Sequence, residues 1–105
     1  MNIDNYQIMA HQTANVDRDR IQHAIHGLVA EVGEIAGNYQ RYFRGDFDYE
    51  EVARRLKKEL GDVLWYAAEL ATVHDYRLSD IAAVNLKKLR DRMKRDILRG
   101  EGDER

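Results

Sequence analysis

Glu31 with Glu34, and Glu59 with Asp62, form two acidic pairs, each spaced three residues apart on a segment that reads as helix, with 24 residues between the pairs. Residues three apart share a helix face. Two such pairs on packed helices would therefore aim four carboxylates at one point. Four oxygen donors in one place suit a hard cation, and Mg²⁺ is the usual one, held by carboxylates and often by substrate phosphates as well.

The competing explanation is that acidic residues on a helix face water and pair with a cation one turn away. It fits the second pair better than the first. Glu59 has Arg55 and Asp62 has Lys58 at i−4, whereas Glu31 is flanked by Gly27, Leu28, Glu34 and Ile35, and Glu34 by Ala30, Glu31, Gly37 and Asn38. Neither residue of the first pair has a helical cation. Like charges near 4 Å repel by roughly 4 kcal/mol at an effective dielectric of about 20, and a bound dication relieves that repulsion.

The elements that must position these carboxylates read as helices throughout. The chain has no proline, and no β-branched alternating run of strand length, which points to an all-α fold of four helices. The first runs from about Asp4 to Thr13, and the polar stretch Ala14 to Asp19 ends it. The second spans about Arg20 to Phe43, with Ile25, Leu28, Val32, Ile35, Tyr39 and Tyr42 as its core seam. Gly27 and Gly37 beside that seam suggest close approach of a neighbour, since each would otherwise cost about 1 kcal/mol in a helix. Arg44-Gly45-Asp46-Phe47 breaks the helix. Asp48 with Glu51 resembles a capping box opening the third helix, which continues to about Val73 on the stripe Val52, Leu56, Leu60, Val63, Ala67 and Leu70. Ser79 is the expected N-cap of the fourth, which runs to about Leu98. There Ala82, Leu86, Leu89, Met93 and Ile97 are expected to face the core. Asn85, Lys88 and Arg92 form a polar stripe suited to phosphate. Residues 1–98 are expected to form the domain, and 99–105 a flexible tail.

The bulk properties exclude several classes. At 105 residues the chain is one small domain, at the low end for burying a sizeable core alone, so a homo-oligomer is expected. A net charge of −2 with 34% charged residues of both signs gives no nucleic-acid or anionic-membrane footprint. The absence of cysteine removes disulfide and thiolate chemistry and fits a cytoplasmic location. No apolar run approaches the roughly 18 residues of a membrane span. Signal peptide and membrane helix are not expected.

Across essentially its whole length the chain resembles the small, single-domain MazG-like nucleotide pyrophosphohydrolases. The residues that carry the likeness are Tyr6-Gln7, Ala10 and Thr13, then Gly27-Leu28-Val29-Ala30-Glu31-Val32-Gly33-Glu34. They continue with Glu59-Leu60-Gly61-Asp62-Val63-Leu64-Trp65-Tyr66, then Asn85, Lys88-Leu89, Arg92 and the tail Gly100 to Arg105. Two positions depart from the family pattern: Ala30 stands where many relatives have a further glutamate, and Gln40 where a lysine is common. The resemblance implies an all-α, four-helix bundle assembling as a homodimer or homotetramer, with sites completed across the interface. It implies cleavage of a nucleoside triphosphate to monophosphate and pyrophosphate. Glu31, Glu34, Glu59 and Asp62 would then bind Mg²⁺, for which Mn²⁺ can substitute. Asn85, Lys88, Arg92 and Arg105 would contact substrate.

The rest of the chain is consistent with that chemistry. There is no cysteine nucleophile, Ser-His-Asp pattern or glycine-rich phosphate loop, so covalent catalysis has no support. Water attack on phosphorus needs positioning and charge neutralisation, which a metal clamp supplies. Glu34, farther round the helix from the apolar seam than Glu31, is the expected general base. A di-iron bundle would need Glu-x-x-His pairs, which are absent. His23 and His26 at i,i+3 are better read as surface histidines than as ligands. The non-enzymatic alternative is a helical nucleotide-binding or interaction module, in which Trp65, off the third helix's stripe, serves a subunit contact or a base-stacking surface.

Overall fold

Helix boundaries follow the capping residues. The computed structural model describes residues 1–15 and 19–99 and contains four helices: α1 (Ile3–His11), α2 (Arg20–Phe43), α3 (Tyr49–Val73) and α4 (Leu78–Arg99). No strand occurs among the described residues. Asn2, Asp19 and Asp48 each accept a hydrogen bond from the backbone N–H three residues on, at 2.8, 3.1 and 2.9 Å, satisfying amides that the first turn leaves orphaned. Only half of the expected capping box forms. Asp48 caps α3, but the Glu51 carboxylate turns to Arg54 and Arg55 at 2.6 and 2.7 Å, and their hydrogen bonds pull it down to about 2.

Two helices end in the same way with different residues. After α2, Asp46 N donates to Arg41 O and Gly45 N to Tyr42 O, both at 2.9 Å, with Gly45 at φ +92°. After α3, Tyr76 N donates to Ala71 O at 2.9 Å and Asp75 N to Thr72 O at 3.0 Å, with Asp75 at φ +58°. Both are Schellman closures, which require a left-handed residue just past the helix. Glycine adopts that conformation at no steric cost; Asp75 does so against its Cβ.

The α2–α3 pair is the frame of the molecule. The five-residue connection folds the two long helices antiparallel, and their contact is the most extensive in the chain. The register sets Asn38 against Arg55, whose Nη1 donates to the Asn38 Oδ1 at 3.2 Å. One turn on, Glu34 faces Glu59. A further turn brings Glu31 to Asp62, and the next Gly27 to Tyr66. Steps of three and four residues keep each series on one helix face, so antiparallel pairing alone brings the two acidic motifs together. Gly27 is needed for this approach: a Cβ built there would clash with the edge of the Tyr66 ring. Gly37 shows no comparable neighbour, so the close approach expected there does not occur within the chain.

α1 lies on α3 and ties the α3–α4 turn in place. Gln7, buried, donates to Thr72 Oγ1 (3.1 Å) and Tyr76 O (2.8 Å) and accepts from Leu78 N (2.9 Å). Asp4 accepts from Ser79 N at 2.9 Å and from Ser79 Oγ at 2.5 Å, which holds its carboxyl below the usual range. The expected N-cap, Ser79, is the second residue of α4, and the capping groups come from α1 instead. Trp65 also serves this contact: its Nε1 donates to Thr13 Oγ1 at 2.9 Å and to Ala10 O at 3.3 Å, so its indole N–H is used within the chain.

The buried apolar residues are few and mostly small: Ala10, Ala24, Val52, Ala68 and Ala71. The apolar stripe of α4 departs from expectation. Leu86, Leu89, Met93 and Ile97 are exposed, Ile97 by 74%, because α4 packs on α1 and leaves the α2–α3 pair. Ile25, Val29 and Val32 on α2 and Leu60 on α3 are exposed as well. The Cα radius of gyration is 17.4 Å, against about 13 Å for a compact chain of this length. The four helices therefore do not close into one bundle within a single chain.

Candidate metal centre between α2 and α3

Glu31, Glu34 and Glu59 each offer a carboxylate oxygen, and the three atoms lie within 4.8 Å of one another. Among the described residues this is the one such group of three. The α2–α3 register makes it, since Glu34 and Glu59 are opposed and Glu31 is one turn along. Asp62 flanks the group from the Glu31 side, its side chain 46% exposed, close enough for its charge to act on both Glu31 and Glu34.

The electrostatics are those of carboxylates held together without enough donors. Glu59 is buried, and neither its Oε2 nor that of Glu31, both shielded from solvent, has a hydrogen-bond donor. Accordingly the Glu31 carboxyl is pushed up to about 7, first by its hydrogen bond with Glu59, then by burial and by the charges of Asp62, Glu59 and Glu34. Glu59 moves down, chiefly through the same hydrogen bond. Glu34, more exposed, is also raised, mainly by its hydrogen bond to Glu59. An all-oxygen, all-anionic donor set with two buried orphan atoms fits a hard divalent cation such as Mg²⁺ or Mn²⁺.

Around this group the side chains are graded along the helix pair. Toward the α2–α3 connection, Arg55 bonds Glu51 and Asn38 rather than Glu59, and the Arg41 and Arg55 guanidiniums lie over the Phe47 ring, 4.9 and 4.4 Å from its centroid. In the other direction the Tyr66 ring meets His23 edge-on at 5.7 Å and Trp65 at 5.1 Å. Neither His23 nor His26 belongs to a group of three ligating side chains among the described residues. Tyr6 of α1 is also drawn in: burial, and then the Asp62 charge, raise its hydroxyl.

The chain's own fold does not bring Asn85 and Lys88 to the carboxylates. Both are exposed on α4, and the groove at Lys88 is walled by Val84, Lys87, Asp91 and Arg95 of the same helix. Arg92 is half-buried on the same stripe, and Arg105 lies outside the described residues. Helical spacing pairs Lys58 with Asp62, but it does not predict the second contact of that lysine, with Glu59. Lys58 Nζ lies 3.5 Å from Glu59 Oε1 and 4.0 Å from Asp62 Oδ2. Adjacent residues do not share a helix face, but the long lysine stem reaches back to its neighbour.

Comparison with known proteins shows the family. The family model for the MazG nucleotide pyrophosphohydrolase domain matches residues 20–96, which include both acidic motifs and most of α4. The chain belongs to that family. It is also 41% identical over 115 residues, covering 100% of both chains, to the Gene 37 protein of Mycobacterium phage L5. No solved structure was found to match the chain.

Proposed function

We propose that the protein hydrolyses ribo- or deoxynucleoside triphosphates to the monophosphate and pyrophosphate, in nucleotide-pool control or house-cleaning. The observation that carries this reading is the convergence of Glu31, Glu34 and Glu59, with buried donorless oxygens, in a chain of the MazG family. Glu31, Glu34, Glu59 and Asp62 hold Mg²⁺, with Mn²⁺ able to replace it. Bound there, the cation would supply charge neutralisation for the phosphates and acidify the attacking water. Water breaks the bond between the α and β phosphates. Glu34 is the general base, because it is the most exposed of the three clustered carboxylates.

Asn85, Lys88, Arg92 and Arg105 contact substrate from a second copy. Support comes from the exposed apolar stripe of α4, which presents Leu86, Leu89, Met93 and Ile97 beside that polar face. A homodimer or homotetramer covers those residues and completes each site. The catalytic unit is residues 1–98, acting in the cytoplasm on free nucleotides rather than on nucleic acid; no helix among the described residues is long and apolar enough to cross a membrane. A panel of ribo- and deoxynucleoside triphosphates with Mg²⁺, read by pyrophosphate and monophosphate release, tests the proposal. Binding of nucleotides with no release from any of them would favour a non-catalytic nucleotide-binding module instead.

A further inference from the structure

We infer that Lys58 is a positioning residue that holds the metal-free carboxylate cluster together and transfers to a substrate phosphate when the metal–nucleotide complex binds. The inference rests on the metal site proposed above. Its starting point is the pair of contacts from Lys58 Nζ to Glu59 Oε1 and Asp62 Oδ2, at 3.5 and 4.0 Å. Glu59 is buried, with its second oxygen lacking any donor. The Lys58 side chain is 69% exposed.

An ammonium in this position neutralises part of the charge that the cluster accumulates. It also competes with a dication for the same oxygen. The long, exposed stem allows the head group to leave Glu59 at little cost, since lysine is a flexible point charge rather than a fixed fork. A phosphate oxygen of the nucleotide bound with the metal would then offer the ammonium a partner of opposite charge. Lys58 therefore opposes metal binding when nucleotide is absent and favours it when nucleotide is present. By linkage, the metal must raise nucleotide affinity by the same factor.

Binding constants separate this role from a surface ion pair. Mn²⁺ affinity of the full chain would be measured by electron paramagnetic resonance, with and without an α,β-imido nucleoside triphosphate that resists cleavage. Lys58→Ala is expected to bind Mn²⁺ alone several-fold more tightly than wild type, and to lose several-fold of the coupling between metal and analogue. Lys58→Arg keeps the charge and is expected to lie nearer to wild type than Lys58→Ala on both measures. Lys57→Ala removes the same net charge one residue away and controls for the general field. Tightening equal in Lys57→Ala and Lys58→Ala, or unchanged coupling in Lys58→Ala, would overturn the assignment. Absence of Mn²⁺ binding in all four proteins would overturn the metal site itself, and this inference with it.

Discussion

Glu31 of α2 and Glu59 of α3 come together across the helix interface, and their contact pushes the Glu31 carboxyl, with its proton, up to about 7 and moves Glu59 down. A divalent cation must displace that proton. Metal affinity is therefore expected to rise with pH up to about 7 and to level off above it, with close to one proton released per metal near pH 6. The linkage to stability has the opposite sign from an ordinary paired carboxylate. Because the folded pKa of Glu31 exceeds its value of 4.5 in the unfolded chain, the native state binds more protons between about 4.5 and 7, and the metal-free protein loses stability as pH rises through that window. Calorimetry of Mn²⁺ binding in buffers of different ionisation enthalpy measures the proton release. A pH-independent affinity between 5.5 and 7.5 contradicts the raised Glu31 carboxyl.

Gln7→Leu is expected to destabilise the protein by about 2–4 kcal/mol, since it removes three hydrogen bonds worth roughly 1 kcal/mol each and leaves buried partners without a donor or acceptor. The loss should be felt first at the start of α4. Thermal unfolding reads the total, and hydrogen exchange should show the amides around Leu78 opening before those of the α2–α3 pair.

Asp75→Gly is expected to stabilise the chain by about 0.5–1 kcal/mol. Relief of a left-handed, Cβ-bearing residue yields roughly 1–2 kcal/mol, reduced by the greater freedom of glycine in the unfolded chain. Gly45 at the equivalent position after α2 shows the conformation that glycine takes without strain. Denaturant titration checks the sign.

Leu89→Glu combined with Met93→Glu is expected to lower the solution mass from the oligomer to the monomer, because it places two charges on an exposed apolar stripe that a second copy would cover. Light scattering at micromolar concentration measures this. A wild-type chain that is monomeric and fully active there contradicts both the assembly and the completion of the site by a second copy.

The helices and the acidic cluster were legible because both depend on local periodicity. Period-3.6 stripes placed α2 and α3 at the observed bounds, and i,i+3 spacing put each carboxylate pair on one face. What local spacing could not supply is partner choice between elements. Asp4 and Gln7 of α1, rather than Ser79, satisfy the first amides of α4, a relation between residues more than 70 apart. The α4 stripe is apolar, as its spacing predicts, but it is not internal to the chain, because a pattern shows that a face is apolar without showing what packs on it. Lys58 was seen only as a partner of Asp62, since its contact with Glu59 runs along the helix between neighbours.

The most direct measurement is pyrophosphate release by Glu59→Gln at saturating Mg²⁺. Glutamine preserves the shape of a buried side chain and removes a charge from a repulsive cluster, so circular dichroism should report an intact helical fold. Loss of even an outer-shell partner of a metal site costs about 10–100-fold. Loss of a ligand is therefore expected to lower kcat by roughly 100-fold or more, whereas Lys88→Ala should act chiefly by raising KM. Near-native turnover by Glu59→Gln would contradict the assignment of the carboxylate cluster as the metal centre, and with it the account of this chain as a metal-dependent pyrophosphohydrolase.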